Sequence, residues 1–576
     1  MSVSGRVQPT VIAPRSKLLG GRPAGPRWWL AVLLIGLAGY RFSLIGSGHF
    51  YTGDERRYLA AEALVDDFQA STCRAGIGHL FEPHVFGRPG FVLVSVVPVI
   101  AQRVVGSLAA IERGTLAHYD AVAAFNALVT LGIAWCLFAL ARRWTGNGWY
   151  ALLITTVHSL LVCANVWIRH LVPYYESLLL FLLALLVLTS IPQASTGHSR
   201  RVAVAGALSA LGFTCYPGYY AFVAINAVVV PAVVRRHRIA AAGLFAASAA
   251  TVLTGFEVLA RWTDGSYFKN LLDRSQEHAQ LIKVGLCDEG YVFAWRFLRD
   301  VEGAAGVVLF MLFAGFVAML VWRPGASLPR SARVAILAAI GCYLAYATQA
   351  VLRHRTVFYG RILAMYLPFV ACGAGLALMH IRRPKLRAIS VCAVLLASGW
   401  SFASFAHWYG GVRYPADFFF ETMARRRQAV PYSPNVMWTG LGGRPARHDH
   451  DSAPFIAMVA DAYPEGFYSY LASHGAARTS GARFIGVNLK WMRNIPEARD
   501  RFEPPEGYEL IAEAVNPFAH PAMAYEERTL SERRRLTKRR YMMCIYEKKV
   551  PAGGHRRAQI QPRPEANGIG GGFTRG

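Results

Sequence analysis

Recurring apolar runs of about twenty residues, separated by short basic stretches, dominate the chain. They lie near 28–45, 119–141, 148–168, 171–191, 202–216, 217–234, 239–260, 303–322, 333–352, 358–379 and 388–406. A helix needs about 20 mostly apolar residues to cross a hydrocarbon core. In lipid every backbone group must also bond internally. A chain with so many such runs is an all-α polytopic membrane protein. Composition agrees: 54% of the 576 residues are hydrophobic and only 16% charged, against about a quarter charged in soluble domains. Mean hydropathy is +0.30.

The net charge is +27. In a soluble chain this would suggest nucleic acid. Here much of it sits in short loops between apolar runs, where it reports orientation. There is no zinc-finger spacing and no aromatic–basic stacking module, so nucleic acid is not an expected partner. The basic clusters are Arg142-Arg143, Arg200-Arg201, Arg235-Arg236 with Arg238, Arg323 to Arg333, and Arg382 to Arg387. Each follows an even-numbered run, provided that a further apolar stretch, 91–110, interrupted by Gln102 and Arg103, does not cross. If it crossed, all five clusters would lie outside, against the positive-inside rule. The expectation is about 11 transmembrane helices, with the N-terminus cytoplasmic, the C-terminus outside and 91–110 at the outer surface as a juxtamembrane helix. The short runs flanking Tyr216-Pro217-Gly218 read as two spans or as one broken helix.

Residues 1–27, basic and rich in Pro and Gly, read as a disordered cytoplasmic tail. No small-residue cleavage site follows 28–45, so this run is an uncleaved span rather than a signal peptide. The transmembrane unit is 28–406, with a first outer loop at 47–118. Residues 407–550 are less apolar and richer in turns, with strand patterns at 484–488 and 541–546. They predict a small extracytoplasmic α/β domain. The Gly-rich stretch 551–576 reads as a disordered tail. The high Arg:Lys ratio fits a bacterial plasma membrane. The nine cysteines lie mostly inside apolar runs, as small core residues. Cys73 and Cys287 fall in outer loops, where they can pair.

Candidate chemistry concentrates at the outer side. Thr52-Gly53-Asp54-Glu55-Arg56-Arg57-Tyr58 follows the first span. Thr52-x-x-Glu55 fits a helix capping box. That would leave Asp54 free at a helix N-terminus, where the dipole stabilises its charge. An ionised Asp54 can act as general base on an acceptor hydroxyl. Arg353-His354-Arg355 and Arg361 fall at an outer rim. There, guanidinium groups either bind phosphate bidentately or snorkel to headgroups. Arg169 and Glu176 flank another outer turn, as a site acid with its neighbour or as a salt bridge. His448-Asp449-His450-Asp451 is a metal candidate or a solvated loop. Arg533-Arg534-Arg535 with Lys538-Arg539-Arg540 faces anionic lipid or solvent.

Asp54-Glu55-x-Arg57-Tyr58 after the first span resembles the D-E-x-R-Y motif of the aminoarabinose transferases that modify lipid A. More broadly, the chain resembles the protein O-mannosyltransferase and Rgt-type branch of the GT-C glycosyltransferases (families 39 and 83). Three further places agree. Gly87-Arg88-Pro89-Gly90 stands where relatives have a lysine-proline-proline turn. Leu140-Ala141-Arg142-Arg143 ends the second span. Arg361 to Pro368 resembles a late R-Y-x-L-P-x-x-P region. Two departures are Ile362 after Arg361 and the single proline of the first turn.

The resemblance covers about 28–380. It implies inverting sugar transfer outside the cytoplasm from a polyprenyl-phosphate-linked sugar to a glycan, glycolipid or protein acceptor. Asp54 would be the base and Glu55 would assist it. Arg57, Arg353, Arg355 and Arg361 would hold the leaving phosphate, with Tyr58, Arg169 and Glu176 as further substrate contacts. No cofactor or metal is called for. The rival readings are a transporter or flippase for lipid-linked glycans, for which no inverted repeat is visible, and a non-catalytic scaffold presenting the C-terminal domain.

Overall fold

The computed structural model describes residues 25–45, 57–82, 85, 87–110, 120–170, 172–191, 198–234, 236–282, 290–322, 328–353, 359–413, 418, 422, 425, 456–459, 484–492, 506–518, 520–525 and 540–549. In chain order the helices begin with α1 (Pro26–Phe42), α2 (Arg57–Gln69), α3 (Cys73–Gly78), α4 (Pro89–Leu108), α5 (Asp120–Thr145) and α6 (Gly148–Ser159). Then come α7 (Tyr174–Thr189), α8 (Ser199–Cys215), α9 (Tyr220–Val233), α10 (Arg238–Trp262), α11 (Tyr267–Ile282) and α12 (Phe293–Val301). The series continues with α13 (Gly303–Trp322), α14 (Arg330–Arg353), α15 (Gly360–Ala364), α16 (Leu367–His380) and α17 (Pro384–Gly411).

Six helices, α4, α5, α10, α13, α14 and α17, are long and apolar enough to cross a membrane among the described residues. Shorter apolar helices cover Tyr174–Thr189, Pro217–Val233 and Leu367–His380. The protein is thus a helical, multi-pass membrane protein. The stretch 91–110, expected at the outer surface, forms a helix with the length and apolar character of a span. Its interrupting pair Gln102 and Arg103 turns to α2: Gln102 Nε2 donates to Glu62 Oε1 at 3.1 Å, and Arg103 pairs with Asp66 at 2.8 Å.

Helix α7 is the centre of the bundle. It packs on α5, α8 and α9, and Leu178, Phe181, Leu182, Leu185 and Leu188 are all buried. A helix that is apolar on every side suits either lipid or a core, and its neighbours place α7 in the core. The two runs around Pro217 are separate helices folded against each other, since Asn226 Nδ2 donates to Ser209 Oγ across the pair at 3.0 Å.

Two expected spans are corrected. The run 148–168 is helical only to Ser159. Beyond it, side chains replace the helical bonds. Asn165 Nδ2 donates to the carbonyls of Ser159 (2.9 Å) and Leu161 (2.7 Å). The Glu302 carboxylate accepts from the N–H groups of Val162 (2.7 Å) and Cys163 (2.9 Å). The run 358–379 breaks into α15 and α16. A helix through this point would set the Pro368 ring against the Ala364 carbonyl, four residues back.

The C-terminal part holds four strands, β1 (Ile456–Val459), β2 (Phe484–Met492), β3 (Tyr508–Phe518) and β4 (Arg540–Lys548), and a short helix, α18 (Pro521–Ala524), between β3 and β4. The sheet order is β1-β2-β4-β3, with β1 parallel to β2 and the other pairs antiparallel. Cys544, Ile545 and Tyr546 of the inner strand β4 are buried.

The segment after β3 docks on the bundle. Trp408 Nε1 donates to the Phe518 carbonyl at 2.8 Å. Tyr525 Oη donates to Asp300 Oδ2 at 2.7 Å, and its ring meets Phe293 and Phe297 edge-on. The Gly360 N–H donates to the Tyr525 carbonyl at 2.9 Å.

Candidate active site at the arginine and tyrosine wall

Two arginines that are far apart in the chain meet on one aromatic wall. Arg88 lies in the turn before α4, where Gly87 takes a positive φ of 67° and Pro89 supplies the fixed φ of a helix start. Its guanidinium sits over the Tyr216 ring, 4.7 Å from the centroid. Tyr216 contacts Tyr174 edge-on at 4.8 Å and Tyr219 at 4.9 Å. On the other side of Tyr174 is Arg361: its Nη1 donates to Tyr174 Oη at 2.6 Å, and its guanidinium lies 4.5 Å from the Tyr359 ring centroid. Tyr219 Oη donates to the Arg361 carbonyl at 2.8 Å.

Local sequence explains the arrangement. Tyr216 is held extended (φ −145°, ψ 95°) between α8 and the turn at Pro217. Tyr174 opens α7 just after Pro173. Gly90 lets α4 start against the end of α8, because a Cβ there would lie 2.8 Å from the Thr214 carbonyl carbon and 2.9 Å from the Cys215 nitrogen. Two guanidinium groups on π faces form a cationic surface suited to a phosphate.

The other expected site residues are placed as follows. Asp54, Glu55 and Arg355 lie outside the described residues, as do Cys287, the His448 to Asp451 cluster and the Arg533 to Arg539 run. Arg57 opens α2 and Arg353 closes α14. Tyr58 is fully buried, and its hydroxyl donates to Gln102 Oε1 at 2.5 Å. Burial holds this phenol well above its ordinary pKa, so it stays a neutral donor. Its bond ties the start of α2 to α4. Arg169 is buried, and its Nη1 donates to the carbonyls of Tyr409 (2.9 Å) and Val412 (3.1 Å), fastening the end of α17. Glu176 is buried one turn into α7, and its Oε2 has no hydrogen-bond partner among the described residues. Cys73 is exposed and has no disulfide partner among the described residues.

The wall of Tyr174, Tyr216 and Tyr219, and the part Arg88 plays in it, did not stand out in the sequence. The available signal was a tyrosine at or just inside one end of each of three consecutive apolar runs. Two other polar clusters lie away from the wall. His79 bridges Asp67 and Glu82; the bond to Glu82 raises its pKa, burial opposes the rise and Asp67 adds to it. Burial of His520 against Phe405 and Trp408 lowers its pKa to about 4.

No protein-family profile and no curated protein matches the sequence. Among solved structures, the chain is similar to ArnT from Cupriavidus metallidurans bound to undecaprenyl phosphate. The identity is 14% and the TM-score 0.48, over 90% of this chain and 98% of that one. It is also similar to the oligosaccharyltransferase AglB from Archaeoglobus fulgidus, in complex with an inhibitory peptide and a dolichol-phosphate. There the identity is 10% and the TM-score 0.45, over 80% of this chain and 69% of that one.

Proposed function

We propose that the chain is an integral membrane glycosyltransferase of the GT-C class. It transfers a sugar from a polyprenyl-phosphate-linked donor to an extracytoplasmic glycan, glycolipid or protein acceptor, in a bacterial plasma membrane. Asp54 takes the proton of the acceptor hydroxyl, and Glu55 orients or assists it. The acceptor oxygen bonds to the anomeric carbon as the bond to the lipid phosphate breaks, inverting that carbon. The phosphate leaves with the electron pair and is held by Arg361 and Arg88, with Arg57, Arg353 and Arg355 as further candidates. A lipid phosphate is a good leaving group, so positioning and charge stabilisation are the main tasks.

The observation that carries the reading is the meeting of Arg88 and Arg361 across Tyr216 and Tyr174. These arginines come from two of the motifs that resemble the family. The acidic motif supplies the base directly before α2.

The test pairs Asp54→Asn with native mass spectrometry of co-purifying lipid. Asp54→Asn is expected to abolish transfer while the protein still inserts and folds; wild-type rates would remove Asp54 from the mechanism. Wild type is expected to retain a polyprenyl-phosphate sugar that Arg361→Ala loses. Bulk phospholipid alone in both would refute the phosphate site.

A further inference from the structure

The aromatic wall borders a small cavity of about 20 Å³ at Tyr174 and Tyr219. A volume of this order holds one water-sized or monatomic species. Arg41, in the last turn of α1, lines it and is 2% exposed. Arg41 Nη2 donates to Asn165 Oδ1 at 3.2 Å. Its Nε and Nη1 are buried and have no hydrogen-bond partner among the described residues. Trp167 Nε1 and Ser159 Oγ, from residues lining the same cavity, are also buried without a partner. No carboxylate lines the cavity among the described residues.

These atoms share one character. The guanidinium and the indole N–H are donors only, and the serine hydroxyl can donate. A guanidinium is charged at every accessible pH, and a buried charge is costly unless it is paired. A water would accept two of these bonds and leave the charge uncompensated. A monatomic anion accepts from several donors at once and cancels the charge.

We propose that this cavity binds a single anion of chloride size, held by Arg41, Trp167 and Ser159. The site joins α1 to the turn 159–170. It sets a fixed negative charge beside Tyr174 and Tyr219, two residues of the aromatic wall. It does not depend on the proposed sugar transfer.

The test uses the full chain purified in detergent and exchanged into chloride, bromide or gluconate salts at one ionic strength. The thermal unfolding midpoint is expected to rise saturably in either halide relative to gluconate. Arg41→Met, similar in length and uncharged, is expected to lose that rise. Crystals grown in bromide are expected to show an anomalous peak in the cavity. Equal midpoints in all three salts, with no anomalous peak, would assign the cavity to water and overturn the proposal. A halide effect that persists unchanged in Arg41→Met would overturn it too. If Arg41→Met does not fold, the presence or absence of the bromide peak in wild type decides.

Discussion

Replacing Glu302 by alanine removes the acceptor of two buried N–H groups, those of Val162 and Cys163 at 2.7 and 2.9 Å. Glu302 is fully buried at the head of α13. Each buried donor left without a partner costs about 1–3 kcal/mol, so Glu302→Ala is expected to lose about 2–6 kcal/mol. Glu302→Gln keeps one acceptor oxygen and is expected to lose less. The carboxyl also titrates. Burial raises its pKa from 4.5 to about 7, against the opposing pull of the two N–H bonds. The folded state therefore holds the proton more tightly than the unfolded chain between these values. Linkage then makes stability fall as pH rises from 4.5 to 7. At about 1.4 kcal/mol per pKa unit, the fall is about 3 kcal/mol. Glutamine does not titrate, so the wild-type minus Glu302→Gln difference isolates this group from all others. The assay is denaturant unfolding in detergent, followed by tryptophan fluorescence at several pH values. A loss below about 1 kcal/mol in Glu302→Ala would refute the capping argument. A wild-type minus glutamine difference that is flat from pH 4.5 to 7 would refute the burial argument.

Gln102→Leu removes one hydrogen bond each from Tyr58 and Glu62. It is expected to lower stability by about 1–3 kcal/mol, and an unchanged unfolding midpoint would mean that α2 is held otherwise. Gly90→Ala puts a methyl group against the Thr214 backbone; overpacking of this kind costs about 1–3 kcal/mol. It should also lift Arg88 from Tyr216 and reduce retention of polyprenyl-phosphate lipid, read by mass spectrometry; full retention would count against Arg88 as a phosphate contact. The folded pKa of His79 is raised above 6.5 by Glu82 and Asp67. Its stabilising contribution is therefore complete below pH 6.5 and lost as pH rises through the folded value. The stability gap between wild type and His79→Ala should be wider at pH 6 than at pH 9, and equal gaps would show that the bridge contributes nothing.

Hydropathy was enough to find most of the bundle. The run 303–322 coincides with α13, and 239–260 lies within α10. What it could not show was where side chains would take over from backbone bonds. Nothing in 148–168 reveals that Glu302 and Asn165 will end the helix at Ser159, because those bonds exist only in three dimensions. The break before Pro368 was legible in principle, since proline carries its own steric rule. β2 and β4 were found by their apolar and aromatic patterns. β3 was missed because Glu509, Leu510, Ala512, Glu513 and Ala514 are mostly good helix formers; pairing with β4 overrides that preference. Arg361 was visible as a rim charge, and Arg88 only as part of a turn that resembles the family's. Their meeting was not, because it depends on Tyr174 and Tyr216 standing between them.

The bond from the Gly360 N–H to the Tyr525 carbonyl has a consequence in time. A ribosome feeding this protein into the membrane releases every helix through α17 well before Tyr525 is translated. Until then the segment bearing Arg361 lacks its brace, although the bundle around it is already assembled. A chain terminated anywhere between 412 and 524 carries all of these membrane helices and none of that support. Translation past Tyr525 thus adds the last support of the Arg361 segment, one backbone hydrogen bond and the aromatic ring beside it, to the bonds that Tyr174 and Tyr219 already make.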